Sequence, residues 1–205
     1  LQRMKLAFSN WQKKLYGKAW NMLYLENHDH PRIISRYGSE KFREASAKML
    51  AVSYLFLKGT PFIFQGDEMG LTNYPFQSLE EITDVEVKGY VEELRAKGKN
   101  EKEIFKTILA GTREHGRILL PWNEFPEGFR EEMKQSINES ILSTYKMLIA
   151  LRKSDKTLVY GDFKVLDDSK DKFVYSRTLN GTTYVIDWNL GKNAKNAYKL
   201  GAVKY

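Results

Sequence analysis

The residue types best suited to chemistry are concentrated in residues 25–32, Leu-Glu-Asn-His-Asp-His-Pro-Arg. This stretch directly follows an apolar and aromatic run, residues 20–24, which predicts a buried strand. Polar side chains at the C-terminal end of a buried strand occupy the place where α/β barrels and open α/β sheets carry out their chemistry. We therefore expect the candidate site at this strand end.

Three interpretations of His28, Asp29 and His30 stay open from the residues alone. One is metal binding, because His28 and His30 share a face in an extended strand, although His115 or a carboxylate would have to supply a third ligand. The second is structural: a histidine bonded to a backbone carbonyl and an aspartate capping a turn. The third is a glycosidase-type site, since a carboxylate beside hydrogen-bonding side chains suits a sugar that gains positive charge in the transition state.

The flanking elements predict how the stretch is held. Four apolar residues at helical spacing come before it: Met4, Phe8, Trp11 and Leu15. After it, Ser39 is the expected N-cap of a helix that ends at Gly59, and residues 61–64 are expected to form a second buried strand. Because such a helix returns the chain to the same end of the sheet, the two strands should be parallel. Trp11 and Trp20 are expected in the core.

Further capping patterns predict three more helices. The patterns begin at Ser78, Asn100 and Ser136, and the helices should end near Ala96, Ala110 and Lys153. Between the last two, residues 111–126 show no clear period but contain Arg113, His115, Arg117 and Trp122. A loop of this composition can be structural or can bind a ligand, and Trp122 suits either the core or a platform for a sugar.

The C-terminal quarter has a different character. Short β-type segments cover residues 158–160, 163–166, 173–178 and 183–186, and Asn180-Gly181 is the signal of a tight hairpin. We place a domain boundary at about Lys153, which divides the chain into residues 1–153 and 154–205.

Composition narrows the class of protein. The 205 residues are 42% hydrophobic and 13% aromatic, which predicts a folded core, and the absence of cysteine suits the reducing cytoplasm. No apolar run reaches the length of a membrane span, so no membrane association is expected. The net charge of +7 raises the question of nucleic acid, but the lysines are mixed with glutamates as on solvated helix faces. We expect neither nucleic-acid binding nor a cofactor.

Three motifs, in the same order along the chain, resemble motifs of the α-amylase family of glycoside hydrolases. Residues 25–32 resemble its fourth signature region in the α-glucosidase form, Glu-Asn-His-Asp, any residue, Pro-Arg. Residues 59–70 resemble its eighth-strand motif, and residues 71–73 continue that motif as in oligo-1,6-glucosidases and glucan 1,6-α-glucosidases. Arg113, Arg117 and Trp122 match the arginines and the tryptophan of an Arg-Asp-Asn-Ala-Arg-Thr-Pro-Met-Gln-Trp loop. Order and spacing agree over residues 1–153.

The resemblance implies a (β/α)8 barrel and hydrolysis with retained configuration through a covalent glycosyl intermediate. It implies that Asp29 is the carboxylate that stabilises the oxocarbenium-like transition state and that His28 binds hydroxyls of the glucose being cleaved. Arg117 would hold the non-reducing end of that glucose, and Glu86 would line the next subsite. Neither a metal nor a cofactor is implied at this site.

The resemblance also implies that this α/β chain is the C-terminal part of such a barrel, strands seven and eight with their helices, followed by part of a small antiparallel β domain. The nucleophilic Asp and the acid/base Glu lie on the family's fourth and fifth strands, and a complete barrel needs about 250 residues. We expect the chain alone to be inactive and to self-associate through its exposed sheet flanks.

The resemblance further implies that the whole enzyme hydrolyses the α-1,6 or α-1,4 bond that links glucose to the non-reducing end of short oligosaccharides. Phosphorylated trehalose as substrate, a non-catalytic carbohydrate-binding module and a basic nucleic-acid binder are the alternatives.

Overall fold

The structure is a computed structural model that describes residues 2–120, 141–170, 172–189 and 198–204. Its α-helices are α1 (Gln2–Lys14), α2 (Ile33–Tyr37), α3 (Arg43–Leu55), α4 (Val85–Ala96), α5 (Glu101–Gly111), α6 (Glu114–Arg117), α7 (Ile141–Ser154) and α8 (Lys156–Tyr160). Its strands are β1 (Met22–Leu23), β2 (Thr60–Pro61), β3 (Asp162–Asp167), β4 (Lys172–Leu179), β5 (Thr182–Asn189) and β6 (Tyr198–Lys204). Short 3-10 turns cover Glu40–Phe42, Asp67–Met69 and Leu79–Glu81.

The predicted strand–helix–strand unit is confirmed. β1 and β2 pair in parallel, with Met22 opposite Thr60 and Leu23 opposite Pro61, and α3 lies between them in the chain. Each strand has only two residues, so both are shorter than predicted. The parallel pairing nevertheless brings the polar segments that follow β1 and β2 to the same edge.

The prediction that both strands are buried was wrong. Leu23 is buried against the α3 core, but Met22 on the opposite face is 59% exposed. Phe62 and Ile63 beyond β2 are exposed as well. The α3 core packs on the face that carries Leu23, whereas the face that carries Met22 is left largely open in the part of the chain that the structure describes.

Trp11 and Trp20 were also expected in the core, and both are exposed. Trp11 lines an open groove together with Met4 and Phe8 of the same face of α1, although the helix itself is confirmed. The indole N–H of Trp20 donates a 2.8 Å hydrogen bond to the hydroxyl of Thr60, and its ring contacts Tyr160. These partners satisfy the indole without burying it.

The helix caps agree with the sequence in part. Asn100 forms the predicted capping box with Glu103 at the start of α5. The helix expected after Ser78 is instead a 3-10 turn, and α4 begins six residues later with Asp84 as its N-cap. Ser39 makes no side-chain cap, and a 3-10 turn follows it, so that α3 begins only at Arg43. The pattern at Ser136 lies outside the described residues.

The C-terminal strands form the antiparallel sheet β3-β4-β5-β6. Asn180 and Gly181 both have positive φ and make the predicted hairpin between β4 and β5. Residues 158–160 were predicted as strand but belong to α8, whose N-cap Asp155 accepts a hydrogen bond from the amide of Thr157. This local capping outweighs the β-branched composition of the segment.

One hydrophobic core joins the helical part to this sheet. It contains α3 together with Tyr145 and Leu148 of α7 and, from the sheet, Phe173 and Trp188. The domain boundary near Lys153 stays a prediction. None of the helices in the described residues is long and apolar enough to cross a membrane.

Candidate functional site

The segment after β1 forms a tight turn. The side-chain oxygen Oδ1 of Asn27 accepts a 2.9 Å hydrogen bond from the backbone amide of Asp29. The backbone carbonyl of Asn27 accepts another from the backbone amide of His30. The metal-binding interpretation required His28 and His30 to share a face of an extended strand, and this turn does not provide that arrangement. Asn27 fixes the turn, and both His28 and Asp29 are exposed at its tip.

The three histidines do not converge. His115 is fully buried, and its Nε2–H donates to the carbonyl of Leu109 at 2.8 Å. Burial lowers the pKa of His115, which keeps the ring neutral. Among residues 2–120, 141–170 and 172–188, no group of three or more His, Cys, Asp and Glu side chains is placed to hold a metal ion.

A buried ion pair supports the turn from below. Arg32 Nη1 lies 2.9 Å from Glu26 Oε1, and both side chains are almost completely buried. The same guanidinium donates to the carbonyl of Gln65 after β2 at 2.7 Å and to the carbonyl of His115 in α6 at 3.1 Å. Arg32 thus connects three segments that are distant in the chain. Sequence reasoning assigned it no role.

Helix α6 packs directly against the turn. An added Cβ at Gly116 would lie 2.9 Å from the carbonyl oxygen of His30 and 3.0 Å from that of Asn27. Only glycine permits so close an approach of the two backbones without a shift. The contact brings Arg113 and Arg117, which flank Gly116, to the tip of the turn.

Arg117 joins the two residues at the tip. Its Nη2 lies 2.9 Å from Asp29 Oδ1, and its Nε–H donates to the carbonyl of His28 at 2.9 Å. Arg113 approaches the same oxygen of Asp29 at 3.5 Å, and His28 Nε2 lies 3.4 Å from Asp29 Oδ2. The structure therefore brings together three of the four residues that the sequence singled out: His28, Asp29 and Arg117.

Glu86, the fourth, is linked to the others through Arg113. Its carboxylate lies 3.0 Å from Arg113 Nη2 and is largely exposed to solvent. Together with Asp29, Tyr90 and Arg113 it lines an open cavity of about 320 Å³ between α4 and α5. Such a cavity can accept a small polar ligand beside Asp29.

Asp84 is a residue of this site that sequence reasoning missed. Its buried carboxylate accepts hydrogen bonds from Nε and Nη2 of Arg113 and lies 3.4 Å from Arg117 Nη1. Hydrogen bonding to Arg113 lowers the pKa of Asp84 to about 2. An aspartate directly before a helix is a recognisable N-cap signal, which would have found its helix cap but not its arginines. Trp122 lies outside the described residues.

The geometry can be compared with known proteins. The family model described as alpha amylase, catalytic domain, matches residues 1–161.

The chain belongs to the α-amylase family.

Curated relatives agree with this membership. An oligo-1,6-glucosidase from Halalkalibacterium halodurans is 38% identical, and a glucan 1,6-alpha-glucosidase from Streptococcus dysgalactiae subsp. equisimilis is 37% identical. The alignments cover 92% and 91% of this chain but only 37% and 38% of those two relatives. The chain therefore spans little more than a third of the length of these α-amylase-family proteins.

A solved structure shows the same fold. The crystal structure of Bacillus licheniformis trehalose-6-phosphate hydrolase matches with a TM-score of 0.86 and 29% identity, over 99% of this chain and 45% of that protein. The predicted fold class is confirmed: the chain has the C-terminal part of the α-amylase-family barrel, followed by part of a small antiparallel β domain.

Proposed function

We propose that this chain carries part of the active site of a retaining α-glucosidase that releases glucose from the non-reducing end of short oligosaccharides. The observation that carries the proposal is the arrangement of Asp29, His28 and Arg117 at the C-terminal end of β1. Sites in (β/α)8 barrels lie at this end of the strands. The family membership supplies the reaction class.

Each side chain has a chemical task in this proposal. Asp29 lies next to two arginines and stabilises the positive charge that the sugar gains in the transition state. His28 is exposed beside it and hydrogen-bonds hydroxyl groups of the same sugar. Arg117 holds the non-reducing end of that sugar, and Glu86 lines the next subsite in the adjoining cavity.

The chain alone is proposed to be inactive. Retaining hydrolysis needs a nucleophile and an acid/base whose carboxyl groups lie about 5 Å apart across the bond. The resemblance places both on the fourth and fifth strands of the barrel, whereas the parallel pair of this chain corresponds to the seventh and eighth. Asp29 by itself supplies neither group.

The substrate is the least constrained part of the proposal. We favour α-1,6-linked glucose, with α-1,4-linked glucose next, because residues 71–73 match the oligo-1,6-glucosidase pattern and relatives named for α-1,6 substrates are 37% and 38% identical. A matching structure is a trehalose-6-phosphate hydrolase, so phosphorylated trehalose is the alternative substrate. A non-catalytic carbohydrate-binding role is the second candidate function, since His28, Asp29 and Arg117 meet within this one chain.

The deciding experiment is glucose release from isomaltose, maltose and trehalose 6-phosphate, by the chain alone and by the chain extended with the N-terminal part of a family barrel. The proposal expects release only by the extended protein, with a loss of about 100- to 1000-fold on Asp29→Asn. Exposed His30 is the matched control, and His30→Ala should retain activity. Saturable isomaltose binding without turnover by the extended protein would instead favour the binding module.

Self-association follows from the uncovered sheet face. Met22 and Phe62 expose apolar surface beside β1 and β2, whose outer edges pair with no further strand of the described residues, and such edges pair readily with other chains. We expect sedimentation velocity to show species larger than the 23.9 kDa monomer, and Met22→Lys with Phe62→Lys to reduce them. Met147→Lys, which places the same charge at an exposed apolar residue of helix α7, away from any strand edge, is the control. A monodisperse monomer in the unmodified chain would contradict this part.

Two smaller expectations stay predictions. A cytoplasmic location rests on the absence of cysteine, and it can be checked by cell fractionation. The expected lack of nucleic-acid binding can be checked by DNA retention at low salt, since binding to phosphates would weaken steeply as salt is raised.

A further inference from the structure

Asp84 lies directly behind the two arginines that hold the tip of the turn. Its Oδ1 accepts a 3.0 Å hydrogen bond from Arg113 Nη2, and its Oδ2 accepts one from Arg113 Nε and lies 3.4 Å from Arg117 Nη1. The side chain of Asp84 is only 3% exposed, whereas that of Asp29 is 47% exposed. The arginines therefore lie between a buried carboxylate and a solvent-facing one.

The charge of Asp84 has an electrostatic consequence for the site. Two guanidinium groups that approach the same oxygen of Asp29 repel each other, and the buried carboxylate offsets this repulsion from the opposite side. Charge-assisted hydrogen bonds are also strongly directional, so they set the planes of the two guanidinium groups. Without Asp84, both arginines would be free to turn toward Asp29 and Glu86.

We propose that Asp84 is a positioning residue for the sugar site: its charge orients Arg113 and Arg117 so that Asp29 and His28 are presented to the substrate. The proposal rests on the proposed function of this site. The side chain of Asp84 contacts Arg113 and Arg117, and it acts on Asp29 and His28 through these two arginines.

A simpler role for Asp84 must be separated from this one. Its Oδ1 also accepts a 3.0 Å hydrogen bond from the amide of Glu86 and so caps α4. Asparagine is as good an N-cap as aspartate but carries no charge, so Asp84→Asn keeps the cap and removes the charge. Asp84→Glu does the reverse, because it keeps the charge and weakens the cap.

The first test uses this chain and needs no activity. The Nε–H of Arg117 donates to the carbonyl of His28 and does not contact Asp84 itself. In ¹H–¹⁵N spectra, Asp84→Asn should shift the Nε–H signals of both arginines and speed hydrogen exchange at Arg117 Nε about tenfold. Asp84→Glu should preserve slow exchange at Arg117 while lowering the melting temperature more.

The control is Asp155→Asn, the same substitution at the N-cap of α8. It should leave both arginine signals unchanged. If Asp84→Asn leaves the signal and the exchange rate of Arg117 unchanged, the charge of Asp84 does not orient Arg117 and the proposal is wrong. If Asp84→Asn does not fold, Asp84→Glu decides, since loss of slow exchange at Arg117 in that variant overturns the proposal and its retention supports it.

The second test uses the extended protein. Asp84→Asn should lower kcat/KM for isomaltose about 10- to 100-fold, mostly through kcat, because the arrangement around Asp29 matters most in the transition state. Asp155→Asn should stay within twofold of the unmodified protein, and an equal loss in both variants would overturn the proposal. Absence of any glucose release by the unmodified extended protein would reject the proposed function, while the spectra would still decide the role of Asp84.

Discussion

Glu26 and Arg32 form an ion pair of 2.9 Å that is closed off from solvent, with side chains 2% and 0% exposed. The Glu26 carboxylate also accepts a hydrogen bond from the backbone amide of Ile33, and the Arg32 guanidinium also donates to the carbonyls of Gln65 and His115. The pair therefore connects the ends of both parallel strands to α6. The exposed site at Asp29 rests on this buried polar layer.

Arg32→Met should destabilise the chain strongly. Removing the arginine leaves Glu26 as an unpaired buried charge, which costs about 3 to 5 kcal/mol of unfolding free energy. Urea unfolding monitored by circular dichroism measures the change. Arg36→Met, at an exposed arginine of α2, is the control and should change stability by less than about 0.5 kcal/mol. A comparable loss in both variants would contradict the role of the buried pair.

Gly116→Ala should disturb the turn at the site. The new Cβ would meet the carbonyl oxygens of His30 and Asn27, and neither backbone can yield without moving the other. We expect a loss of about 1 to 3 kcal/mol and changed amide chemical shifts at residues 27–30. Gly89→Ala in α4, where no atom lies within 4 Å of the new Cβ, should stabilise slightly. Unchanged shifts at residues 27–30 would refute the close contact.

Asp67→Asn should flatten the pH dependence of stability. Burial and the nearby charge of Glu26 raise the pKa of Asp67 well above its usual value. The folded chain then keeps a proton that the unfolded chain, with a pKa of about 3.9, has released. Because the folded state binds more protons, its stability falls as pH rises from about 4 through the raised pKa.

Urea unfolding at about pH 5 and about pH 8 tests this prediction for Asp67. The unmodified chain should lose more stability across this interval than Asp67→Asn, whose neutral amide resembles the protonated acid. Asp168→Asn, at an exposed aspartate, should behave like the unmodified chain. An identical pH dependence for Asp67→Asn and the unmodified chain would show that Asp67 is ionised in the fold.

Arg152→Met should weaken the packing of α7 against the segment that links the end of α3 to β2. Its guanidinium donates to the carbonyls of Leu55, Leu57, Leu158 and Gly59. Each buried carbonyl left without a donor costs about 1 to 3 kcal/mol, so we expect a total loss above about 3 kcal/mol. The melting temperature measures it, with exposed Lys153→Met as the control. A drop no larger than that of the control would mean that water replaces the guanidinium.

The predictions from sequence succeeded where the signal is local or periodic. The Asn100 capping box and the Asn180-Gly181 hairpin depend on a few neighbouring residues, and both are present. The parallel strand pair followed from the order strand, helix, strand. The strand predicted at residues 158–160 is a helix because the cap at Asp155 outweighs a weak β preference. The helix predicted after Ser78 is a 3-10 turn, because the N-cap that starts α4 is Asp84.

The sequence by itself determined the family motifs and the order of the elements, and it singled out His28, Asp29 and Arg117 as candidate site residues, because these depend on residue type and spacing. Only the tertiary structure decided that Asp84 lies behind the arginines and that Met22 is exposed. Arg117 and Asp29 are 88 residues apart in the chain, and their contact depends on the packing of α6 against the turn. The sequence gives the apolar character of a side chain, whereas its burial depends on which other segments of the folded chain cover it.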